Sequence, residues 1–212
     1  MPKRKLEKSD SETSRHMDLQ SSTAEDCWFS ANQYAGDVSE FVETFDGERE
    51  LHLVDLFSAS GQASGCWTAA GYNAEACDIT RDGNWDMSSR GGFFNTLSLC
   101  LRVLPFGLAL AGPPCSWFIF LSSSMHRRTA ASPEGDLSEA RVRLSNLITA
   151  NCVALLQIAA ARGVFVMVEQ PANSLMFHFE LFAAWVRSDP RLRFVMTYMV
   201  ASGTSCSSRR SS

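Results

Sequence analysis

The sequence predicts an α/β fold, in which a mostly parallel sheet carries helices on both faces. Short apolar runs alternate with longer segments of helical spacing, and the apolar runs lack the polar alternation of a strand with one solvent-exposed face. The chain has 212 residues, of which 45% are hydrophobic, enough for one core. We therefore expect one domain at 50–202, after a disordered polar tail at 1–26 and a helical lead-in at 27–49, and before a disordered tail at 203–212.

The first part of the chain predicts a helix and then a strand, a helix and a strand. Aromatic residues and a Val-Ser-Glu-Phe-Val run at 28–45 favour a helix that packs on the domain. Residues 51–57 form an apolar run of strand length, 61–71 have helical spacing and end in glycine, and 73–79 form a second strand. Strand, helix and strand in this order indicate a parallel βαβ unit.

The middle of the chain repeats this alternation. Residues 93–104 are apolar at helical spacing, and 106–111 are a short apolar run that Gly-Pro-Pro stops. Residues 138–162 predict a long amphipathic helix with Ser138 available as its cap, and 164–169 predict a buried strand.

The last part adds a helix at 181–187 and a further strand at 193–199. The apolar segment at 147–168 has the length of a membrane span, but Gln157 and Arg162 interrupt it. We therefore predict a buried helix followed by a strand, and no membrane association.

Composition and charge limit the class of protein. A formal net charge of -4 argues against a surface that mainly coats a polyanion. The seven cysteines are odd in number and lack Cys-x-x-Cys spacing, so we predict an intracellular, reducing compartment without a disulfide framework or a metal site. Residues 1–26 lack the apolar centre of a signal peptide, and Pro2-Lys3-Arg4-Lys5 is a candidate nuclear address.

The strand at 106–111 ends in Gly-Pro-Pro and presents Cys115. Two successive prolines fix φ twice and remove two backbone donors, so the next residue lies on a stiff loop. A thiolate there can attack an electrophile, whereas a cysteine in the core only packs. The proline frame favours a nucleophilic role for Cys115.

A second strand delivers Glu169 to the same edge of the sheet. The run at 164–168 ends in this glutamate, and a proline follows two positions later. Carboxylates rarely follow five buried apolar residues without a partner, and burial there would favour a protonated carboxyl that can share its proton with a ring nitrogen. We predict a catalytic Glu169; the alternative is a glutamate that binds loop amides.

The ends of the first two strands predict a nucleotide-like ligand. From Asp55 to Gly61 a strand gives way to small residues and then to a helix, whose first amides can hold such a ligand. Asp78 follows 17 positions after Gly61, at the end of the second strand, where a carboxylate can accept hydrogen bonds from both hydroxyls of a ribose. The alternative for Asp78 is an ordinary exposed aspartate.

The order of these motifs resembles that of the DNA cytosine-5 methyltransferase family. Asp-Leu-Phe-Ser-x-x-Gly, an acid after the second strand, Gly-Pro-Pro-Cys and Glu-x-Pro follow one another between 51 and 171. The resemblance implies a Rossmann-like, S-adenosylmethionine-dependent methyltransferase fold. It also implies that Cys115 attacks carbon 6 of a cytosine, that Glu169 stabilises the adduct at nitrogen 3, and that carbon 5 then takes the methyl group.

The same resemblance assigns the contacts to S-adenosylmethionine. It implies that Phe57 contacts the adenine, Gly61 the methionine part and Asp78 the ribose. The remaining implied contacts come from Asp55, which opens the motif, from Asp86, near the adenine amino group, and from Pro114, where the family lines its pocket.

The chain also departs from the family. Ala59 and Gln62 stand where the family has glycines, and no target-recognition region follows the catalytic pair. The resemblance implies a nucleic acid substrate, DNA before RNA. The missing region predicts a protein partner that supplies it. Arg127 and Arg128, in the loop after the cysteine, are candidate phosphate contacts, with a solvated basic loop as the alternative.

Two other functions stay open. The first is a module of the same fold that binds S-adenosylmethionine or a protein without catalysis, which the missing region favours. The second is a cysteine hydrolase or thiol transferase, for which His126 or His178 would have to act as a base beside Cys115.

Overall fold

The structure, a computed structural model, describes residues 29–119 and 123–197. The tails predicted at 1–26 and 203–212 lie outside the described residues. The strands are β1 (Leu51–Leu56), β2 (Ala74–Cys77), β3 (Val103–Ala111) and β4 (Phe165–Val168). The helices are α1 (Ala35–Thr44), α2 (Gln62–Ala69), α3 (Arg90–Arg102), α4 (Ser123–His126), α5 (Ala140–Ala161) and α6 (Glu180–Ser188).

The four strands form one parallel sheet in the order β2-β1-β3-β4. This confirms the predicted α/β class and the parallel sheet. From β1 the chain continues to β2 at one edge of the sheet, and from β3 it continues to β4 at the other edge. The strand order therefore reverses between β1 and β3, at the centre of the sheet. Because the strands are parallel, the residues that follow all four lie at the same edge.

Helices α3 and α5 pack on one face of the sheet and on each other. The core between them is fully buried and consists mainly of small and branched apolar side chains, among them Val54, Leu56, Leu97, Leu101, Ala109, Ala111, Leu155, Leu156 and Ala159. Alanines on β3 let α5 approach the sheet closely, and the leucines of both helices fill the remaining space.

The opposite face of the sheet is covered only in part. Helix α2 packs on β1 and β2, and the right-handed course of parallel crossovers places it opposite α3 and α5. Over β3 and β4 that face is open among the described residues, since Phe165 and Met167 are 62% and 55% exposed. The predictions of helices covering both faces and of a buried strand at 164–169 are therefore only partly right.

Two predicted features near helix starts differ from the structure. Helix α3 begins three residues before its predicted start, because the Ser89 hydroxyl accepts a hydrogen bond from the Gly92 amide at 3.0 Å and caps it. Ser138 does not cap α5. Its hydroxyl instead donates to Asp136 at 2.6 Å, and the helix begins without a side-chain cap.

The strand predicted at 193–199 is wrong as far as the structure describes it. Residues 192–197 form no regular secondary structure and pair with no strand of the described sheet. The ring of Phe194 packs on Phe177 with centroids 5.1 Å apart, and Val195 and Met196 are exposed. That contact joins the segment to the turn before α6.

Helix α5 is long and apolar enough to cross a membrane by length and composition alone. Half of its most apolar stretch is buried, and the helix packs on α3, α6, β3 and β4. Strand β4 follows directly, so the predicted succession of a packed helix and a strand is confirmed, although one face of β4 is exposed.

The segment before the sheet is fastened to the core by one amide. Asn151 of α5 is fully buried, and its Nδ2 donates to the carbonyls of Phe29 and Met87 at 2.7 and 2.8 Å. Its Oδ1 accepts from the Ala31 amide at 2.9 Å. Helix α1 follows and packs Phe41 against Phe94 of α3.

We expect Asn151→Ala to lower the free energy of unfolding by about 3 kcal/mol, because three buried backbone groups lose their partner at about 1 kcal/mol each. Urea unfolding followed by circular dichroism measures this change. The matched control is Gln157→Ala, an exposed position on the same helix, which should change stability by less than about 0.5 kcal/mol. Equal effects of the two substitutions would contradict this role of Asn151.

Candidate active site

The structure brings the two predicted catalytic residues and several of the predicted cofactor residues to one edge of the sheet. Asp78 follows β2, Asp55 and Phe57 lie at the end of β1, and the loop of Cys115 follows β3. Glu169 follows β4 directly. Four separate segments of the chain therefore meet at one edge, in the order of the strands.

The cysteine lies on a loop that is fixed at both ends. The Gly112 amide donates to the carbonyl of Leu56 at 3.1 Å, which holds the start of the loop against β1. Cys115 opens a short 3-10 turn that the Phe118 amide closes by donating to its carbonyl at 2.8 Å. The thiol is half-buried, so it is both held in place and open to a ligand.

The loops that carry Cys115 and Glu169 are joined by hydrogen bonds. The Glu169 amide donates to the carbonyl of Ala111 at 2.9 Å, and the Gln170 side chain donates to the carbonyl of Pro113 at 2.6 Å. Ser174 in turn donates to the Oε1 of Gln170 at 2.9 Å. Sequence reasoning missed Gln170, whose only signal was its position between the glutamate and a proline.

The Glu169 side chain is exposed, so the prediction that it is buried is wrong. It follows the half of the sheet whose second face is open, and no helix of the described residues covers that half. A ligand bound at this edge would have to supply the desolvation that favours a protonated carboxyl.

The turn after β1 has a backbone that favours glycine. Phe57 and Ala59 have φ angles of 58° and 45°, and Gly61 has 69°. Only glycine adopts such angles without strain, so Phe57 and Ala59 are conformational outliers held by their surroundings. One of the holding bonds comes from Asp78, whose Oδ2 accepts from the Ala59 amide at 2.9 Å.

Asp78 is oriented by the loop around it and still has room for a ligand. Its Oδ1 accepts from the Thr80 amide at 2.8 Å and from the Thr80 hydroxyl at 2.5 Å. Partial burial alone would raise the pKa of Asp78, but the bonds from Thr80 and Ala59, with nearby Arg81, lower it. The carboxylate is therefore ionised, and Oδ2 keeps one lone pair for a further donor.

Asp55 lies at the same edge but is 5% exposed. It accepts one hydrogen bond, from the Ser64 amide of α2 at 3.3 Å. Burial raises the pKa of Asp55, and the Ser64 bond and the charge of Arg81 oppose this only in part. Its place under the turn makes it a support of the loop more than a direct ligand contact.

We expect Asp55→Asn to stabilise the protein increasingly as pH rises. The raised pKa means that the folded state binds a proton more tightly than the unfolded state, so stability falls as pH rises from about 4 through the folded pKa. Asparagine keeps the shape and removes this dependence. Urea unfolding of both proteins from pH 4 to 7 tests it, with exposed Asp46→Asn as the control; a difference that stays constant or shrinks with pH would refute it.

Arg81 is a site residue that sequence reasoning missed. Its guanidinium lies over the backbone of Gly61, in the space that a side chain at position 61 would occupy. Its charge also favours the ionised forms of Asp55 and Asp78. An arginine three positions after the strand-end aspartate was its only signal in the sequence.

Two predicted cofactor contacts lie in other surroundings. Asp86 follows the 3-10 turn after β2, and its Oδ1 accepts from the amide and hydroxyl of Ser88 at 2.9 and 2.6 Å, so it shapes the start of α3. Pro114 lines an open pocket between the cysteine loop and α5, together with Trp117 and Ile148. This pocket is mostly apolar and adjoins the cysteine.

The two candidate phosphate contacts differ sharply. Arg127 has a side chain 78% exposed and pairs with Asp136 at 3.1 Å, so it is accessible to a ligand. Arg128 is 2% exposed, and its guanidinium donates to Ser145 and Asn146 at 2.6 and 2.8 Å and lies 4.2 Å from the ring of Phe118. Arg128 therefore fastens the loop to α5 and cannot reach a phosphate, so this prediction is wrong.

The histidines offer little support for a hydrolase. His126 is buried, and its ring lies 4.8 Å from that of Trp117; burial, with the charge of Arg128, lowers its pKa. His178 is exposed in the turn before α6. Among the residues that the structure describes, no group of three histidine, cysteine or acidic side chains is placed to hold a metal ion.

Comparison of the chain with protein-family models, with curated proteins and with solved structures finds no match in any of the three. The evidence on function therefore consists of the sequence motifs and of the geometry of the edge at which they meet.

Proposed function

We propose that the chain is a Rossmann-like methyltransferase domain that transfers a methyl group from S-adenosylmethionine to carbon 5 of a cytosine in nucleic acid. The observation that carries the proposal is the joining of the loops after β3 and β4. Hydrogen bonds from Glu169 and Gln170 to the loop that begins at Ala111 hold the glutamate and Cys115 on neighbouring strand ends. A nucleophile and an acid on adjacent, fixed loops suit addition across one planar ring.

In the proposed reaction each of the two side chains has one role. The Cys115 thiolate would add to carbon 6 of the pyrimidine, and the electron pair of the double bond would move toward carbon 5. Glu169 would hold a proton at nitrogen 3 and so neutralise the charge that develops on the ring. Carbon 5 is thereby made nucleophilic; after transfer, loss of its proton and of the thiolate restores the double bond.

The crevice between the ends of β1 and β2 fits the proposed methyl donor. The remaining lone pair of Asp78 Oδ2 can accept from a ribose hydroxyl, and the strained turn after β1 lies beside it. Arg81, above Gly61, supplies a cation for the carboxylate of the methionine part. S-adenosylmethionine bound there would supply the methyl group.

Trapping on DNA that contains 5-fluorocytosine tests the proposal. Fluorine cannot leave carbon 5 as the proton does, so after methyl transfer the cysteine stays covalently bound. We expect a protein–DNA adduct that is stable in denaturing gels and forms only when S-adenosylmethionine is added. Binding of labelled S-adenosylmethionine without any adduct, on DNA or RNA, would overturn the catalytic proposal.

A non-catalytic module that binds S-adenosylmethionine is the second candidate, favoured by the exposure of Glu169. Both candidates require the crevice at Asp78. We expect Asp78→Ala to weaken binding of S-adenosylmethionine about 10-fold, the loss of one hydrogen bond, in isothermal titration calorimetry. Exposed Asp46→Ala should bind like the wild type; no binding by the wild type would contradict both candidates.

A further inference from the structure

The turn that carries Cys115 is held by the chain after β4 on both sides of the cysteine. The Gln170 side chain donates to the carbonyl of Pro113, two residues before the cysteine, at 2.6 Å. The Leu175 amide donates to the carbonyl of Phe118, three residues after the cysteine, at 2.7 Å. The thiol therefore lies on a short span of chain between two points that one neighbouring segment fixes.

Residues 170–175, which we call the clamp, also fix one another. The Ser174 hydroxyl donates to Oε1 of Gln170 at 2.9 Å and accepts from the Met176 amide at 3.3 Å. The Ser174 amide donates to the carbonyl of Pro171 at 2.8 Å, and Ser174 is 3% exposed. Because a hydroxyl donor already binds Oε1 of Gln170, the amide keeps the orientation in which Nε2 faces the cysteine loop.

The contact of Gln170 differs from the other hydrogen bonds between these loops. The bonds from Glu169 to Ala111 and from Leu175 to Phe118 join backbone groups, so they do not depend on the identity of a side chain. Proline 113 is buried, and its carbonyl would be left without a donor if the amide at position 170 were removed. An unpaired buried carbonyl is costly, so the loop would shift toward water. The position of the cysteine turn therefore depends on residue 170.

We infer that Gln170 is the positioning residue for Cys115 and that Ser174 orients it, an inference that rests on the proposed methyl transfer. In that reaction the thiolate reaches carbon 6 of a pyrimidine while Glu169 holds nitrogen 3 of the same ring. A displacement of about 1 Å at such a site can lower the rate about 100-fold. Gln170 follows Glu169 directly and binds the cysteine loop, so it couples the positions of the two side chains.

Gln170→Met tests this inference, because methionine has nearly the shape of glutamine but no N–H to donate. At saturating S-adenosylmethionine we expect the single-turnover rate of adduct formation on 5-fluorocytosine DNA to fall about 10- to 100-fold. The Kd for S-adenosylmethionine, measured by isothermal titration calorimetry, should stay at the wild-type value. Alkylation of Cys115 by iodoacetamide should not slow, because this small reagent needs no second group in register.

Three further variants make the comparison specific. Gln170→Glu keeps the shape and places an acceptor opposite the Pro113 carbonyl, so its adduct rate should fall at least as far as that of Gln170→Met. Ser174→Ala frees the amide to turn, and its rate should lie between those of Gln170→Met and the wild type. Asn173→Ala, at an exposed position in the clamp, is the control and should react like the wild type. Circular dichroism verifies the fold of each protein.

Hydrogen exchange in the free protein tests the clamp without nucleic acid or methyl donor. The Phe118 amide closes the cysteine turn by donating to the carbonyl of Cys115 at 2.8 Å. Its exchange, followed by NMR, should be about 5-fold faster in Gln170→Met, the effect of one hydrogen bond, and unchanged in Asn173→Ala.

The two measurements separate the inference from the proposed function. A wild type that forms no adduct, with the difference in exchange present, would overturn the methyl transfer and leave the clamp established. An equal exchange rate in Gln170→Met and the wild type would overturn the clamp. An undiminished adduct rate in Gln170→Met, beside a reactive wild type, would overturn the positioning role, and so would slower alkylation of Cys115.

Discussion

Cys115→Ser is expected to abolish the covalent adduct with 5-fluorocytosine DNA, lowering its rate of formation by about 1,000-fold or more. A hydroxyl has far too high a pKa to supply the anion that adds to carbon 6, and the rest of the site cannot compensate. The change is small in volume and falls on a half-buried loop residue, so folding should be preserved. Gel separation of denatured adducts measures the loss, and circular dichroism verifies the fold.

Other described cysteines provide controls for the assignment of the adduct to Cys115. Cys66 is exposed on α2, away from the loop, so Cys66→Ser should form the adduct at the wild-type rate. Burial raises the pKa of Cys77 and Cys152 to about 12, so neither is a competing thiolate at neutral pH. An adduct that persists in Cys115→Ser and disappears in Cys66→Ser would contradict the proposal, because the nucleophile would then be Cys66.

Arg128→Ala is expected to cause the largest loss of stability, about 3 to 5 kcal/mol in the free energy of unfolding. The substitution leaves Ser145, Asn146 and the Pro133 carbonyl without their buried donor, and removes the cation that lies on Phe118. It also opens a cavity between the loop and α5. Urea unfolding measures the change.

The adjacent Arg127 provides a matched control for Arg128→Ala. Arg127→Ala removes the same charge one position earlier, but the Arg127 side chain is 78% exposed and solvent weakens its pair with Asp136, so the effect should be below about 0.5 kcal/mol. Arg128→Lys should fall between the two, because an ammonium cannot reach all the partners of a planar guanidinium. Similar losses for both alanine variants would mean that Arg128 does not fasten the loop.

The sequence was sufficient for the parts of the fold that depend on local pattern. Apolar runs bounded by glycine or proline located all four strands, and their parallel order followed from the alternation with helices. Cys115 and Asp78 lie at the predicted edge because parallel strands must end together. These inferences needed only periodicity and connectivity.

The errors concern burial, which local pattern does not determine. Phe165 and Met167 belong to an apolar strand but are exposed, since no described helix crosses that half of the face. Arg128 is a charged loop residue but is buried, because partners 17 and 18 positions away on α5 satisfy it. Whether a side chain is covered depends on elements distant in sequence, and one sequence does not reveal these.

The order of the strands also sets the distance between the proposed nucleoside site at Asp78 and the proposed site of the target base at Glu169. Asp78 and Glu169 follow the two outermost strands, which lie three strand spacings apart, or about 14 Å. A nucleoside anchored at Asp78 therefore leaves the end near Glu169 vacant for a second ring. Saturation with S-adenosylhomocysteine should accordingly leave room for an oligonucleotide, and the two should form a ternary complex instead of displacing one another.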